Sequence, residues 1–162
     1  MLPLKIKPYL TNVREKSDDN YLIIEGELSC CGKQEFEISF DGLVRKYFFT
    51  GTYIYAKDDK IVLEAKCKYC GKKIVLFDSS IDGYAQCQKN IKKNISSLKS
   101  FDCIKCKQNN FAVIIKYEYS DLQELKEEGI DNIDNAYSWI WISLKCNECN
   151  TKYRKFFDFE TA

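Results

Sequence analysis

The chain has 162 residues, of which 25 are basic and 24 acidic, and it contains nine cysteines but no histidine. The missing imidazole excludes Ser/His and Cys/His nucleophile pairs, HExxH metal helices and His/Cys/Cys deaminase zinc sites. A net charge of +1 gives no general attraction to nucleic acid or to membranes, so any such attraction would have to be local. We therefore expect a protein that is not an enzyme.

No apolar run approaches the roughly 20 residues of a membrane-spanning helix, and residues 1–7 lack the long apolar segment of a signal peptide. We therefore predict a cytoplasmic protein that does not bind membranes. In a reducing compartment, paired cysteines are typically metal ligands or redox centres rather than disulfides.

The first half of the chain predicts short strands, because its segments are rich in β-branched and aromatic residues and alternate in polarity. These strands cover residues 21–29, 35–40, 52–56 and 60–66. Residues 84–98 contain neither Gly nor Pro and place apolar residues, including Cys87, at helical spacing. We predict an amphipathic connecting helix there.

The second half repeats this strand-rich pattern. The predicted strands cover residues 111–119, 138–145 and 152–159. Between the first two of these strands lies an acidic insert, which predicts a short helix that begins after Ser120 and ends at Gly129.

Eight of the nine cysteines occur in pairs. Three pairs are CxxC motifs, namely Cys67/Cys70, Cys103/Cys106 and Cys146/Cys149, while Cys30 and Cys31 are adjacent and Cys87 is alone. A CxxC motif followed by a residue that tolerates a left-handed backbone is typical of a knuckle, a tight turn whose thiolates converge on one tetrahedral ion.

The order of these features indicates an internal repeat. A shift of 75 residues aligns Phe36 with Phe111, and a shift of 79 residues aligns Cys67 with Cys146. Each half then consists of a knuckle, an alternating strand, an insert, a second alternating strand, a second knuckle and a strand.

This arrangement resembles the zinc-ribbon group, in which two knuckles hold one zinc ion through four cysteines. The resemblance covers most of the chain as two copies and implies two Zn²⁺ per chain. Its ligands would be Cys30, Cys31, Cys67 and Cys70 in one copy, and Cys103, Cys106, Cys146 and Cys149 in the other. Two departures are the long spacers of 35 and 39 residues between knuckles, and Leu28 at the position that corresponds to Cys103.

The resulting fold prediction is a mainly β protein with a connecting helix (α+β), built from two tandem zinc-ribbon-like antiparallel β units. The predicted boundaries are 1–81 for the first unit, 82–101 for the connecting helix, and 102–162 for the second unit with its acidic insert.

The sequence leaves the fourth ligand of the first site open. Cys30 could bind with a distorted turn, or Cys87 could reach the site from the helix. A strained Cys30–Cys31 disulfide is a further option. If only three cysteines bind, the fourth position could hold water. A metal-bound water of this kind is the only route to catalysis at a metal that the sequence suggests.

Two groups of residues are candidates for contact with a partner. Tyr137, Trp139 and Trp141 alternate with the apolar residues of their strand, so they form either a packing face between the halves or an exposed aromatic platform. The predicted helix carries Lys89, Lys92 and Lys93 on its polar face, which is either solvated or a basic ridge.

These features together predict a non-enzymatic, intracellular, zinc-stabilised protein-binding module of the adaptor, immunity, antitoxin or phage-encoded inhibitor type. A protein partner is favoured over nucleic acid because the charges nearly cancel and only three arginines occur. Nucleic-acid binding is the alternative, and a thiol redox or zinc-sensing protein that uses Cys30, Cys31 and Cys87 is a further one. No small-molecule substrate is evident.

Overall fold

The computed structural model describes residues 1–47, 51–82, 98–129 and 132–161, and these residues are mostly in β-strands. The strands are β1 (Leu10–Ser17), β2 (Tyr21–Leu28), β3 (Phe36–Asp41), β4 (Leu43–Tyr47), β5 (Gly51–Tyr55), β6 (Val62–Cys67), β7 (Lys73–Asp78), β8 (Lys99–Ser100), β9 (Phe111–Ser120), β10 (Trp139–Cys146) and β11 (Lys152–Glu160). The helical elements in these described ranges are the 3-10 turns Lys7–Tyr9 and Ile133–Asn135 and one short helix, α1 (Leu122–Glu127).

Nine of these strands form one antiparallel sheet, which curls into a half-barrel. The main path runs β1-β2-β9-β3-β6-β7, while β10 pairs with the other edge of β9, β11 pairs with β10 and β8 pairs with β3. Strands β4 and β5 form a separate two-stranded ribbon that packs against β11. Strand β9 is therefore the branch point at which all parts of the sheet meet.

The sheet contains the repeat that the cysteines indicate, as two equivalent three-stranded units. Strands β3-β6-β7 and β9-β10-β11 have the same order and antiparallel pairing. The two units join where Phe36 pairs with Phe111, and these are equivalent positions in the repeat. Antiparallel pairing of equivalent residues relates the two halves by a local two-fold rotation.

The prediction of an α+β pair of zinc-ribbon units is wrong. Strand β9 of the second half is hydrogen-bonded to β2 of the first half along most of its length, so one sheet runs through both halves. Within the described residues the only α-helix is α1. The physical reason is that an isolated three-stranded unit leaves both of its outer edges unpaired, whereas in the common sheet the outer edge of β9 pairs with β2 of the same chain.

The inner face of the curled sheet forms the hydrophobic core. Alternate residues of β3, β9 and β10 are buried, and the predicted inward residues Ile140, Ile142 and Leu144 are among them. Aromatic rings fill the interior, and the ring centroids of Phe77 and Phe157, for example, are 4.9 Å apart. Burial of alternate side chains on the concave face stabilises a curled sheet without a second layer.

Two predicted helices have different outcomes. The acidic insert does form a helix, Leu122–Glu127, and Gly129 follows it with a positive φ of 66°. The connecting helix predicted over 84–98 lies outside the described residues except for its last position, and strand β8 follows directly at Lys99.

Candidate metal centres

Two groups of four cysteines converge at one end of the sheet units. In each group all four Sγ atoms lie within 4.8 Å of one another. We call the group of Cys30, Cys31, Cys67 and Cys70 centre 1, and the group of Cys103, Cys106, Cys146 and Cys149 centre 2. All eight are free thiols.

In centre 1 the adjacent cysteines both contribute sulfur. The Sγ of Cys30 lies 3.9 Å from that of Cys31 and 3.6 Å from that of Cys70. A tetrahedron with metal–sulfur bonds of about 2.3 Å has sulfur–sulfur edges of about 3.8 Å, whereas a disulfide requires about 2.0 Å. The geometry fits four ligands around one ion, with Cys30 in the position that the sequence left open. Cys87 lies outside the described residues.

A two-residue turn allows adjacent cysteines to face the same point. Cys30 and Lys33 exchange both backbone hydrogen bonds, and the two central residues, Cys31 and Gly32, have positive φ values of 56° and 67°. This is the pattern of a type I′ hairpin turn. The left-handed backbone at Cys31 rotates its side chain toward that of Cys30, so a CC-Gly sequence replaces a CxxC knuckle here.

Centre 2 consists of two CxxC knuckles. The Sγ atoms of Cys103 and Cys149 are 3.6 Å apart, and those of Cys106 and Cys146 are 3.5 Å apart. The group is less exposed than centre 1, because Cys103 and Cys146 are buried and the other two are half-buried.

The three CxxC knuckles share one backbone design. In each, the residue after the second cysteine donates its amide to the carbonyl of the first cysteine. That residue has a positive φ in all three knuckles, with values of 73° at Gly71, 64° at Lys107 and 59° at Asn150. The left-handed residue closes the turn and directs the two thiols to the same side.

Hydrogen bonds and burial shift the pKa values of the centre 1 thiols in opposite directions. Burial and the neighbouring thiol of Cys70 raise the pKa of Cys30 to about 12. The backbone amide of Lys72 and the thiols of Cys31 and Cys30 lower the pKa of Cys70 to about 7. Four thiolates at these distances repel one another strongly, so all four can be ionised together only around a cation.

Centre 2 receives additional hydrogen bonds from the side chains around it. Burial opposes ionisation of Cys103, but the Tyr153 hydroxyl, 3.2 Å from its Sγ, and backbone amides lower its pKa to about 6. The backbone amide of Ile104 donates to the same hydroxyl oxygen at 2.9 Å, which fixes the ring. Thr151 places its hydroxyl 3.1 Å from the Sγ of Cys149. Such outer-sphere bonds stabilise metal-bound thiolates.

The two centres are linked by a pair of asparagines. The side chain of Asn147, inside the last knuckle, donates to Oδ1 of Asn110 at 2.9 Å and to the carbonyl of Gln34 at 3.1 Å. Asn110 is 4% exposed and donates in turn to Glu148 at 2.9 Å. Because Gln34 follows the Cys30–Lys33 turn, the bonds connect centre 2 directly to the chain beside centre 1.

The aromatic candidates separate into two environments. Tyr137 is 1% exposed and packs against Tyr117 in the core, with ring centroids 4.8 Å apart. Trp139 and Trp141 are half-buried on the outer face and stack at 5.5 Å. The predicted basic residues Lys89, Lys92 and Lys93 lie outside the described residues. A partner-binding role for all six residues stays a prediction.

The sequence analysis missed the residues that support the centres: Tyr153, Thr151, Asn110 and Asn147. Thr151 could have been found from its position two residues after Cys149. Tyr153 and the asparagines become neighbours of sulfur only through the pairing of strands, so no spacing rule marks them.

No family model matches the chain, and comparisons with curated proteins and with solved structures found no similar protein. Among the described residues, no helix has the length and apolar character to cross a membrane.

Proposed function

We propose that the protein is a non-enzymatic binding module whose sheet is held in shape by two structural zinc ions, one in each centre. The observation that carries this proposal is the convergence of eight cysteines into two tetrads with Sγ atoms within 4.8 Å. Four thiolates in tetrahedral arrangement are the donor set of structural zinc, and iron is the other metal that this donor set accepts.

The positions of the centres support a structural role. Centre 1 connects the β2–β3 turn to the β6–β7 turn, and centre 2 connects the segment before β9 to the β10–β11 turn. Each zinc site contributes on the order of 10 to 16 kcal/mol of apparent binding free energy, compared with a total stability of about 5 to 15 kcal/mol for a typical domain. Zinc at both centres would therefore decide whether the sheet folds.

The donor sets also argue against catalysis at the metal. Cys30 supplies a fourth sulfur at centre 1, so a bound zinc would keep no position for water or substrate at either centre. Free thiols of this kind persist in a reducing compartment, which agrees with a cytoplasmic location.

The test is a metal count combined with a thiol count on the purified full chain. We expect two zinc ions per chain, eight thiols that react only after metal release, and one further thiol from Cys87. The variant Cys103→Ser should retain one zinc, whereas the control Cys87→Ser should retain two. A metal-free protein with titratable disulfides would contradict the proposal and support a thiol redox protein.

A further inference from the structure

Three adjoining cavities on the outer surface meet at Arg154 on β11. Their volumes are about 720, 430 and 440 Å³, and the Arg154 side chain lines all three. The largest lies between β11 and the β4–β5 ribbon, and the second extends from it toward the first knuckle of centre 2. These two cavities share Arg154 and both lie beside β5 and β11, and we call them together the Arg154 groove.

Exposed cations without acidic partners line this groove. Lys105, Lys152 and Arg154 are all solvent-exposed. Among the described residues, none of these three cations forms an ion pair with an acidic side chain. The ion pairs that occur there are made by other lysines. Unpaired cations that converge on one cleft concentrate positive potential there, even in a chain whose net charge is +1.

Aromatic rings form the opposite wall of the groove. Tyr53 and Tyr55 of the ribbon are half-buried and line the largest cavity. The guanidinium of Arg45 lies 5.1 Å from the centroid of Tyr55, which adds a further positive charge beside the rings. Tyr53 also stacks on Tyr47 with ring centroids 5.7 Å apart, so a ligand would stack on the ring faces that Tyr47 and Arg45 leave uncovered.

Acidic residues limit the groove on one side, and the carboxylate in the lining of the groove itself, Asp158, is ion-paired with Lys155. Glu25 and Glu27 of β2 line the third cavity, on the far side of Arg154. Hydrogen bonds from Asn12 and Gln34 lower the pKa of Glu27, which therefore stays ionised at neutral pH. An anionic ligand would be repelled from β2 and confined to the path between the ribbon, β11 and the knuckle.

We propose that the Arg154 groove binds single-stranded nucleic acid. The phosphates lie along Lys105, Lys152 and Arg154, and bases stack on Tyr53 and Tyr55. Stacking on a protein ring requires unpaired bases, which favours a single strand over a duplex. The near-zero net charge that favoured a protein partner from the sequence carries less weight here, because the fold brings cations from distant segments to one cleft. This inference rests on the proposed function, since the groove needs the folded sheet.

The test uses the zinc-loaded full chain and fluorescein-labelled oligo(dT) and oligo(U) of about 12 nucleotides, a length within the range that small single-strand sites cover. Fluorescence anisotropy at low salt should show saturable binding that weakens as salt is added. The two tryptophans provide a label-free signal, because the Nζ atom of Lys155, which lines the groove, lies 5.9 Å from the Trp141 ring centroid.

Two groove variants and one charge-matched control separate the roles. Lys152→Gln/Arg154→Gln should weaken binding at least about tenfold and reduce the slope of log K against log salt by about 1.4, as expected for two lost phosphate contacts. Tyr53→Leu/Tyr55→Leu should weaken binding about tenfold with an unchanged slope. The control Lys7→Gln/Lys16→Gln removes two exposed cations, one on the edge strand β1 and one in the 3-10 turn before it, and should change affinity less than twofold.

Several results would overturn the inference. These are no binding of either oligonucleotide at low salt, equal affinity for duplex DNA, a control variant as weak as the groove variant, or competition by polyglutamate of equal charge, which would indicate an acidic protein partner. A folded chain with two zinc ions that binds neither oligonucleotide refutes this inference alone. A chain without zinc refutes the proposed function instead.

Discussion

Asn147 donates a hydrogen bond from its side-chain amide to Oδ1 of Asn110 at 2.9 Å. This bond connects the second knuckle of centre 2 to the residue that directly precedes strand β9. The backbone repeats the same connection, because the Asn147 amide donates to the Asn110 carbonyl at 2.9 Å. In the first half, the equivalent residues Lys68 and Glu35 form the equivalent backbone bond at 3.1 Å. The asparagine side chains are the feature that the first half lacks.

Replacing Asn147 by alanine should therefore destabilise the fold. The change leaves Oδ1 of the buried Asn110 and the carbonyl of Gln34 without this donor, and a buried unsatisfied acceptor costs about 1 to 3 kcal/mol. Urea denaturation of the zinc-loaded chain should show a loss in that range. Asn20→Ala, at an exposed position, is the matched control and should change the free energy of unfolding by less than about 0.5 kcal/mol. An equal loss of unfolding free energy in both variants would show that the Asn147–Asn110 hydrogen bond does not stabilise the fold.

The two centres should release metal at different rates. Cys31 and Cys70 of centre 1 are exposed, whereas none of the four cysteines of centre 2 is exposed. A chelator reaches exposed thiolates first, so zinc release followed with a metal-sensitive dye should show a fast and a slow phase of equal amplitude. Cys31→Ser should abolish the fast phase and Cys106→Ser the slow one. Loss of the slow phase in Cys31→Ser would reverse the assignment.

Tyr153→Phe should weaken metal binding at centre 2. Burial, followed by the contact with Cys103, raises the pKa of Tyr153, so at neutral pH the hydroxyl keeps its proton and donates to the Cys103 thiolate. Removing an outer-sphere donor of this kind typically lowers metal affinity about 10- to 100-fold. Competition with a chelator of known affinity measures the change.

The control for that experiment is Tyr69→Phe at centre 1. The Tyr69 hydroxyl donates to Glu35 rather than to a thiol, and the side chain is exposed. Its removal should leave the affinity of both centres unchanged within about twofold. A comparable loss in both variants would mean that the effect of Tyr153→Phe arises from general destabilisation.

Substitutions at the left-handed residue that closes each knuckle should change the stability of the fold in opposite directions, depending on whether a glycine is removed or introduced. A Cβ at Gly71 would meet no atom within 4 Å, so Gly71→Ala adds only the cost of a positive φ, about 1 kcal/mol. Lys107 already has that cost at its φ of 64°, and Lys107→Gly should stabilise the fold by up to about 1 kcal/mol. Denaturant midpoints of the zinc-loaded variants should move in opposite directions. A shift of Lys107→Gly toward lower stability would show that side-chain contacts outweigh the backbone preference.

Local patterns predicted much of the secondary structure and the cysteine grouping. Strands β2, β3, β5, β6, β9 and β10 overlap predicted strands, because each has alternating burial that its sequence shows as alternating polarity. Strand β11 also overlaps a predicted strand, although its burial alternates only in part. Strand β1 was missed, since seven of its eight residues are exposed and its sequence, with Lys16 and Arg14 among them, carries no alternation. An edge strand of this kind is specified by its partner rather than by its own pattern.

Ligand spacing and alternating polarity are local properties of the chain, so they were enough to predict the repeat, the second set of four cysteines and three members of the first set. The shared sheet, the place of Cys30 in centre 1 and the position of Arg154 opposite Tyr53 and Tyr55 follow from the tertiary structure. These relationships depend on which strand edges pair with each other and on how the sheet curls. Both are set by the summed burial of distant residues, such as Phe36 against Phe111, which no segment of the sequence encodes alone.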